Sequence, residues 1–213
     1  EYRSEFQDID MKVGAFEILE PVPDLRDVCA IAILRPWIDV GQIGTLAIRR
    51  LEEYLGAREL GRLSHPGTFF DFTRYRPQVR IVNEQRVFST PNSIVRYAKH
   101  QETQKDYIFL DLREPHSMGE TYTDAIVALL NHFNVTEYCR IGSMYDSVPH
   151  TRPLMVTGSL NEEQFEKVKH LVSPKKNAYQ GPTSIVNLVD NTLLHSNLTI
   201  TSLMVHVPQY VQL

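Results

Sequence analysis

The 213-residue sequence is short of cysteine, of net positive charge and of long apolar runs, and each shortage removes a class of protein. Its two cysteines, Cys29 and Cys139, stand in separate apolar stretches without the close spacing of a metal knuckle or a disulfide framework. They read as two buried, reduced thiols of a cytoplasmic protein, because a free cysteine behaves as a small hydrophobe. The 22 Lys and Arg against 26 Asp and Glu leave a net charge of −4, so no general basic field exists for a phosphate backbone and nucleic acid is not an expected partner. The longest apolar run, Val28 to Leu34, has seven residues, where a membrane-spanning helix needs about 20. No membrane association is expected. Residues 1–10 are polar and carry no apolar stretch of the signal-peptide kind, while the missing initiator Met leaves room for a removed leader. With Gly 10, Pro 12 and no repeat or low-complexity tract, collagen-like and disordered chains are excluded, and one domain over residues 1–213 is expected.

What is present is an alternation of two periods. Val28 to Leu34 suits a strand buried on both faces. It is followed by Ile43, Leu46, Ala47, Leu51, Tyr54 and Leu55 at helical spacing, with Gly56 where a helix stops. The unit recurs as a strand over Asp106 to Leu112 and a helix bearing Tyr122, Ile126, Leu129, Leu130 and Phe133, with Ser117 and Glu120 spaced as a capping box. A strand over Glu137 to Ile141, a loop from Gly142 to Pro153 and a short strand over Leu154 to Thr157 come next. Asn161 then caps a helix with Phe165, Val168 and Val172, a further helix carries Ile185, Leu188, Val189, Thr192 and Leu193, and Leu198 to Val207 forms a last strand. Strands alternating with helices predict an α/β fold with a mostly parallel sheet and helices on both faces. Residues 58–98 lack helical period and predict a small antiparallel β excursion around Asn83-Glu84-Gln85.

In an open parallel sheet, ligands bind beyond the carboxyl ends of the strands, so the turns there carry the candidates. The turn Asp39-Val40-Gly41-Gln42-Ile43-Gly44 places two glycines before a helix. Asp39, Gly41 and Gly44 either bring backbone N–H groups to an anion or supply the unusual angles of a tight turn; the spacing is neither G-x-G-x-x-G nor a P-loop. Glu114-Pro115-His116 offers Glu114 and His116 as an acid/base pair, or as a helix cap and a loop residue. In Val148-Pro149-His150-Thr151-Arg152-Pro153 two prolines fix His150 and Arg152, which suits an anion clamp and an intersubunit salt bridge equally. Tyr210, past the last strand, supplies either a cleft hydroxyl or an aromatic anchor. Arg74, Tyr75 and Arg76 form an Arg-aromatic patch of the kind common at protein interfaces. No G-x-S-x-G, H-E-x-x-H or C-x-x-C occurs, so no metal site and no serine hydrolase of recognised pattern is expected, and no cofactor.

The order of these turns carries a resemblance. Asp39 to Thr45, Asp71-Phe72 with Arg76-Pro77, Glu114-Pro115, Pro149-His150-Thr151-Arg152-Pro153, Tyr179-Gln180-Gly181-Pro182 and Pro208-Gln209-Tyr210-Val211 together resemble the family of the second proteasome assembly chaperone, most of all its prokaryotic branch. The match runs in order over about residues 12 to 211. The resemblance implies a three-layer α/β sandwich related to nucleoside phosphorylases and peptidyl-tRNA-hydrolase-like proteins, and self-association into a homo-oligomer, a trimer or larger among the options. It also implies a protein partner in a larger assembly, since eukaryotic relatives help to build proteasome α rings. The sequence departs from the family at Gln209, where a His is common, and Tyr210 is fourth from the end rather than next to last, as in a ring-docking tail. Family members often continue past this point, so a longer tail is expected. The expectation is a non-catalytic, assembly-chaperone-like interaction protein. The alternative is a small-molecule binder or enzyme of nucleoside-phosphorylase or hydrolase type, in which Glu114, His116, His150 and Arg152 converge on one ligand.

Overall fold

The computed structural model describes residues 11–175 and 180–211. Tyr179 of the fifth matching motif, the polar segment 1–10 and the final two residues lie outside the described residues. The order of elements is β1 (Met11–Val13), β2 (Phe16–Ile18), β3 (Val28–Arg35), α1 (Ile43–Leu55), β4 (Arg58–Leu63), β5 (Gln78–Val82), β6 (Gln85–Ser89), β7 (Ile94–His100) and β8 (Lys105–Arg113). The chain continues through α2 (Gly119–His132), β9 (Val135–Asp146), β10 (Met155–Ser159), α3 (Glu162–Val168), β11 (Ser173–Pro174), α4 (Ile185–Leu193) and β12 (Thr199–Pro208).

Ten strands form one sheet in the order β1-β2-β4-β7-β8-β3-β9-β12-β10-β11. Its centre is parallel, β3 pairing with β8 and β9, and β9 with β12. Its flank is antiparallel, from β8 through β7 and β4 to β2 and β1. The sheet is therefore mixed, with the parallel character confined mainly to the middle. The antiparallel excursion splits in two: β4 and β7 join the main sheet, while β5 and β6 form a separate two-stranded ribbon.

Helices cover both faces, and β3 shows why its sequence is a continuous apolar run. Ala30, Ala32 and Leu34 face a large cluster with Tyr122, Leu129 and Leu130 of α2 and Val186 and Val189 of α4. Ile33, one residue out of step, packs on the other face with Ile48 of α1 and Phe109 of β8. A strand with period-two side chains and a helix on each side needs apolar residues at every position.

Two helix ends follow local chemistry directly, and a third departs from it. Gly56 closes α1 in the left-handed region at φ 63°, where glycine carries no Cβ penalty. Asn161 and Gln164 form a reciprocal capping box on α3. The capping box expected of Ser117 and Glu120 does not form. Met118 precedes α2 at φ 53°, and the Ser117 hydroxyl donates instead to the Thr68 carbonyl at 2.7 Å. A contact distant in sequence has taken the hydroxyl that a local cap would use.

Candidate functional site

The parallel centre sends its four strand ends to one edge. Beyond them lie the loop 36–42, the turn 114–118, the loop 147–154 and the residues after Pro208. The first of these is stapled to β9: the Ser143 N–H donates to the Ile38 carbonyl at 2.9 Å and its hydroxyl to the Val40 carbonyl at 2.7 Å. Asp39, 7% exposed, accepts the Thr45 N–H at 3.2 Å and the Thr45 hydroxyl at 2.5 Å. Gly41 and Gln42 both have left-handed angles, φ 61° and 56°. At Gly44 a Cβ would stand 2.3 Å from Ile33 Cδ1, a distance that packed atoms do not tolerate. Asp39, Gly41 and Gly44 thus turn the chain and start α1 against β3, and both carboxylate oxygens of Asp39 are already engaged.

The remaining candidates fall into two sets. In the first, the Asp71 N–H donates to His116 Nδ1 at 3.1 Å, and the His116 ring packs edge-on against Tyr75 with centroids 4.6 Å apart. The Tyr75 hydroxyl donates to the Glu114 carbonyl oxygen at 3.1 Å. Burial pushes the Glu114 carboxyl up from its ordinary pKa, opposed by the backbone N–H of Ile185 at the start of α4, where a carboxylate also meets the positive end of the helix dipole. Glu114 therefore acts as a cap on α4, and His116 as an acceptor for the 65–76 turn.

In the second set, Tyr210 Oη accepts the His150 N–H at 2.7 Å and lies 2.9 Å from His150 Nδ1. Both side chains are exposed, as is Arg152. Among the described residues no hydrogen bond or ion pair joins His150, Arg152 or Tyr210 to Glu114 or His116. The exposed Arg74 contacts Asp71 at 3.9 Å, and Arg76 is likewise exposed.

Two arrangements are new with respect to the sequence. His206 of β12 places Nδ1 2.7 Å from Asp146 Oδ2 and Nε2 2.8 Å from Thr157 Oγ1, an Asp-His-Thr relay across β9, β12 and β10. The Ser147 N–H and His206 together hold the Asp146 carboxyl below its ordinary pKa. The relay has the order of a base positioned by a carboxylate against a hydroxyl. It crosses three adjacent strands with His206 buried and Asp146 and Thr157 half-buried, and its geometry pins β10 to β12. The sequence pattern places Asp146 in the loop 142–153, whereas β9 runs on to reach it. The only local signal was the imidazole interrupting the apolar alternation of β12.

The second arrangement is a polar cavity of about 280 Å³ at the base of the β5–β6 ribbon, where Arg113 and Tyr75 meet Arg76, Ser89 and Thr90. Among the described residues, no group of three or more His, Cys, Asp or Glu is placed to hold a metal ion. No helix there is long and apolar enough to cross a membrane.

Comparison with known proteins follows the fold. A PAC2 family protein from Streptomyces avermitilis superimposes with a TM-score of 0.76 at 22% identity, over 87% of this chain and 78% of that one. A proteasome-assembly chaperone homologue from Mycobacterium tuberculosis gives 0.74 at 21% identity, over 87% and 77%. An archaeal proteasome activator from Pyrococcus furiosus gives 0.69 at 17%, over 92% and 81%. At such identities the likeness is one of fold. A search of curated proteins finds no match. The sequence pattern of the PAC2 family matches residues 33–213, which takes in the end of β3, the strands β8, β9 and β12 and all of the loops at their carboxyl edge, and the chain belongs to the PAC2 family.

Proposed function

We propose that this protein is a non-catalytic, self-associating interaction protein of the assembly-chaperone type, one α/β domain acting in the cytoplasm. The observation that carries the reading is the β5–β6 ribbon. Val79 pairs with Phe88, and Ile81 lies two residues from Val79, so the three share one face of the ribbon. They are 56%, 69% and 75% exposed. A two-stranded ribbon without a covering layer is marginal in water, and an apolar row on it is suited to contact with another protein.

Charge favours a second copy of the chain as the occupant. Residues 74–89 hold four arginines (Arg74, Arg76, Arg80 and Arg86) and one acid, Glu84, a charge of +3. A chain of net −4 therefore carries −7 outside that segment, and a basic arm complements the acidic body of a neighbour. The interface candidates Arg74, Tyr75 and Arg76 stand at the base of the arm. Family membership, and the chaperone homologue and activator among the relatives in fold, support a further protein partner in a larger assembly.

The competing reading, a small-molecule binder or enzyme of nucleoside-phosphorylase or hydrolase type, needs Glu114, His116, His150 and Arg152 around one pocket. Among the described residues no hydrogen bond or ion pair links Glu114 and His116 to His150 and Arg152, and the cavity at the ribbon base is lined by none of the four, which favours the interaction reading. Native mass spectrometry of the full chain at micromolar concentration tests it. The wild type is expected above monomer mass, and Ile81→Ser with Phe88→Ser is expected to return it to monomer. A wild type that is strictly monomeric and retains no protein partner overturns the proposal.

A further inference from the structure

Five arginines among the described residues are half-buried: Arg35, Arg62, Arg96, Arg113 and Arg140. Four of them hold a carboxylate. Arg35 meets Asp111 at 2.6 Å, Arg96 meets Glu52 at 3.2 Å, Arg140 meets Asp190 at 2.5 Å, and Arg62 pairs with Glu59. Arg113 has no carboxylate in ion-pair contact among the described residues, although a guanidinium removed from water without a counter-charge is costly. Burial, and after it the neighbouring Arg35 guanidinium, push its pKa down against the attraction of the Asp111 carboxylate, which is paired with Arg35 rather than with Arg113.

The side chain is nonetheless held firmly. Its Nε donates to the Asn92 carbonyl at 3.2 Å, and its guanidinium lies 5.4 Å from the centre of the Tyr75 ring. Those two contacts hold the guanidinium in place, and Arg113 lines the cavity of about 280 Å³ at the base of the ribbon. The same cavity is lined by Arg76 and by the hydroxyl residues Ser89 and Thr90, with no acid among its lining residues. Arg76 is likewise without an ion-pair partner among the described residues. The volume lies at or just below the small end of ligand pockets, about 300 Å³, and the wall is polar, which fits a compact anion rather than an apolar molecule.

We propose that this cavity binds the phosphoryl group of a phosphate monoester, held between the Arg113 and Arg76 guanidiniums with the Ser89 and Thr90 hydroxyls as further donors. Two guanidiniums and two hydroxyls match an oxyanion with three terminal acceptor oxygens and nearly two negative charges. The ligand supplies the direct ion pair that Arg113 lacks among the described residues, the nearby Asp111 being held by Arg35. This site shares Tyr75 and Arg76 with the proposed contact surface but needs no second copy, so a monomeric chain can still bind the ligand.

Calorimetric titration of the full chain at low ionic strength tests it with two probes, glycerol 3-phosphate and a short uncharged peptide bearing one phosphoserine. Chloride at matched ionic strength and the unphosphorylated peptide serve as controls. Saturable binding of glycerol 3-phosphate is expected if the source is a free monoester, and of the peptide alone if it is a modified side chain. Arg113→Gln is expected to weaken either by about ten- to a hundredfold, the loss of a charge-assisted hydrogen bond. Arg76→Ala, on an exposed side chain that folding does not need, is expected to weaken it by about tenfold. Absence of saturable binding by both probes overturns the proposal, as does unchanged affinity in a folded Arg76→Ala chain together with Arg113→Gln or, should that variant not fold, with Thr90→Val.

Discussion

The parallel centre and the β5–β6 ribbon are made of similar residues and live in opposite environments. Val79, Ile81, Val82, Val87 and Phe88 would suit a core strand as well as Val28 to Leu34 does. The difference is what covers them. β3 has strands on both edges and helices on both faces, so Ala30, Ala32, Ile33 and Leu34 are all but completely buried. The ribbon has one partner strand and no layer, and four of those five side chains are exposed. Apolar sequence alone therefore does not mark a core. Where the topology leaves it bare, the surplus apolar surface is available for a contact between molecules.

The largest expected effect lies in the centre. Leu129 of α2 is fully buried in the cluster shared by β3, α2 and α4. Leu129→Ala is expected to cost about 2–5 kcal/mol through lost transfer energy and the cavity left behind. Urea unfolding followed by circular dichroism measures it. A cost near that of a surface change would mean that the centre is not the self-sufficient part of the molecule, and the contrast with the ribbon would fail.

A smaller effect probes the seam between β9 and α4. Asp190 contacts Arg140 at 2.5 Å, and burial outweighs that cation, pushing the carboxyl up to about 6 from an ordinary 3.8. The sign follows from proton binding. Between those values the native chain holds a proton that the unfolded chain has released, so this group's contribution is fully present at low pH and is lost as pH rises through about 6. Lowering the pH from 7 to 5 is expected to stabilise the wild type by about 1 kcal/mol relative to Asp190→Asn, which lacks the titrating group. Parallel urea curves of the two proteins at both pH values supply the difference. A difference of zero would place the Asp190 carboxyl in an environment as open as that of the ribbon.

Much of the centre was legible because its signals are local. The run from Val28, the helical spacing after Ile43, the stop at Gly56 and the cap at Asn161 each state their structure within one or two turns of chain. What the sequence concealed depends on partners far away. The 58–98 region reads as antiparallel β, but nothing local says that β4 and β7 extend the main sheet while β5 and β6 leave it. The end of β9 reads as a loop because Tyr145 and Asp146 lack apolar alternation; pairing of Asp146 with Pro208 extends the strand there. The same contact brings Asp146 to His206. The edge position of the candidate turns was readable from strand order, yet the engagement of Asp39 by Thr45 and the lack of an ion pair to Arg113 among the described residues emerge only when the chain is folded. A missing partner is not a property of any sequence window.

The smallest expected effect sharpens the comparison most. If the ribbon face is bare in the free chain, Ile81→Ser with Phe88→Ser removes contacts only with water, and the change in unfolding free energy is expected to stay within about 0.5 kcal/mol per site. The measurement belongs at a protein concentration low enough to keep the chain dissociated, because an association that involves only the folded state would otherwise add to the apparent stability of the wild type. Equal urea midpoints at high dilution, with a wild type that gains stability as concentration rises and a variant that does not, would locate the apolar surplus of the ribbon in contacts between molecules. A loss of several kcal/mol at high dilution would instead place Ile81 and Phe88 in the fold's own core, and the two regions would no longer differ in kind.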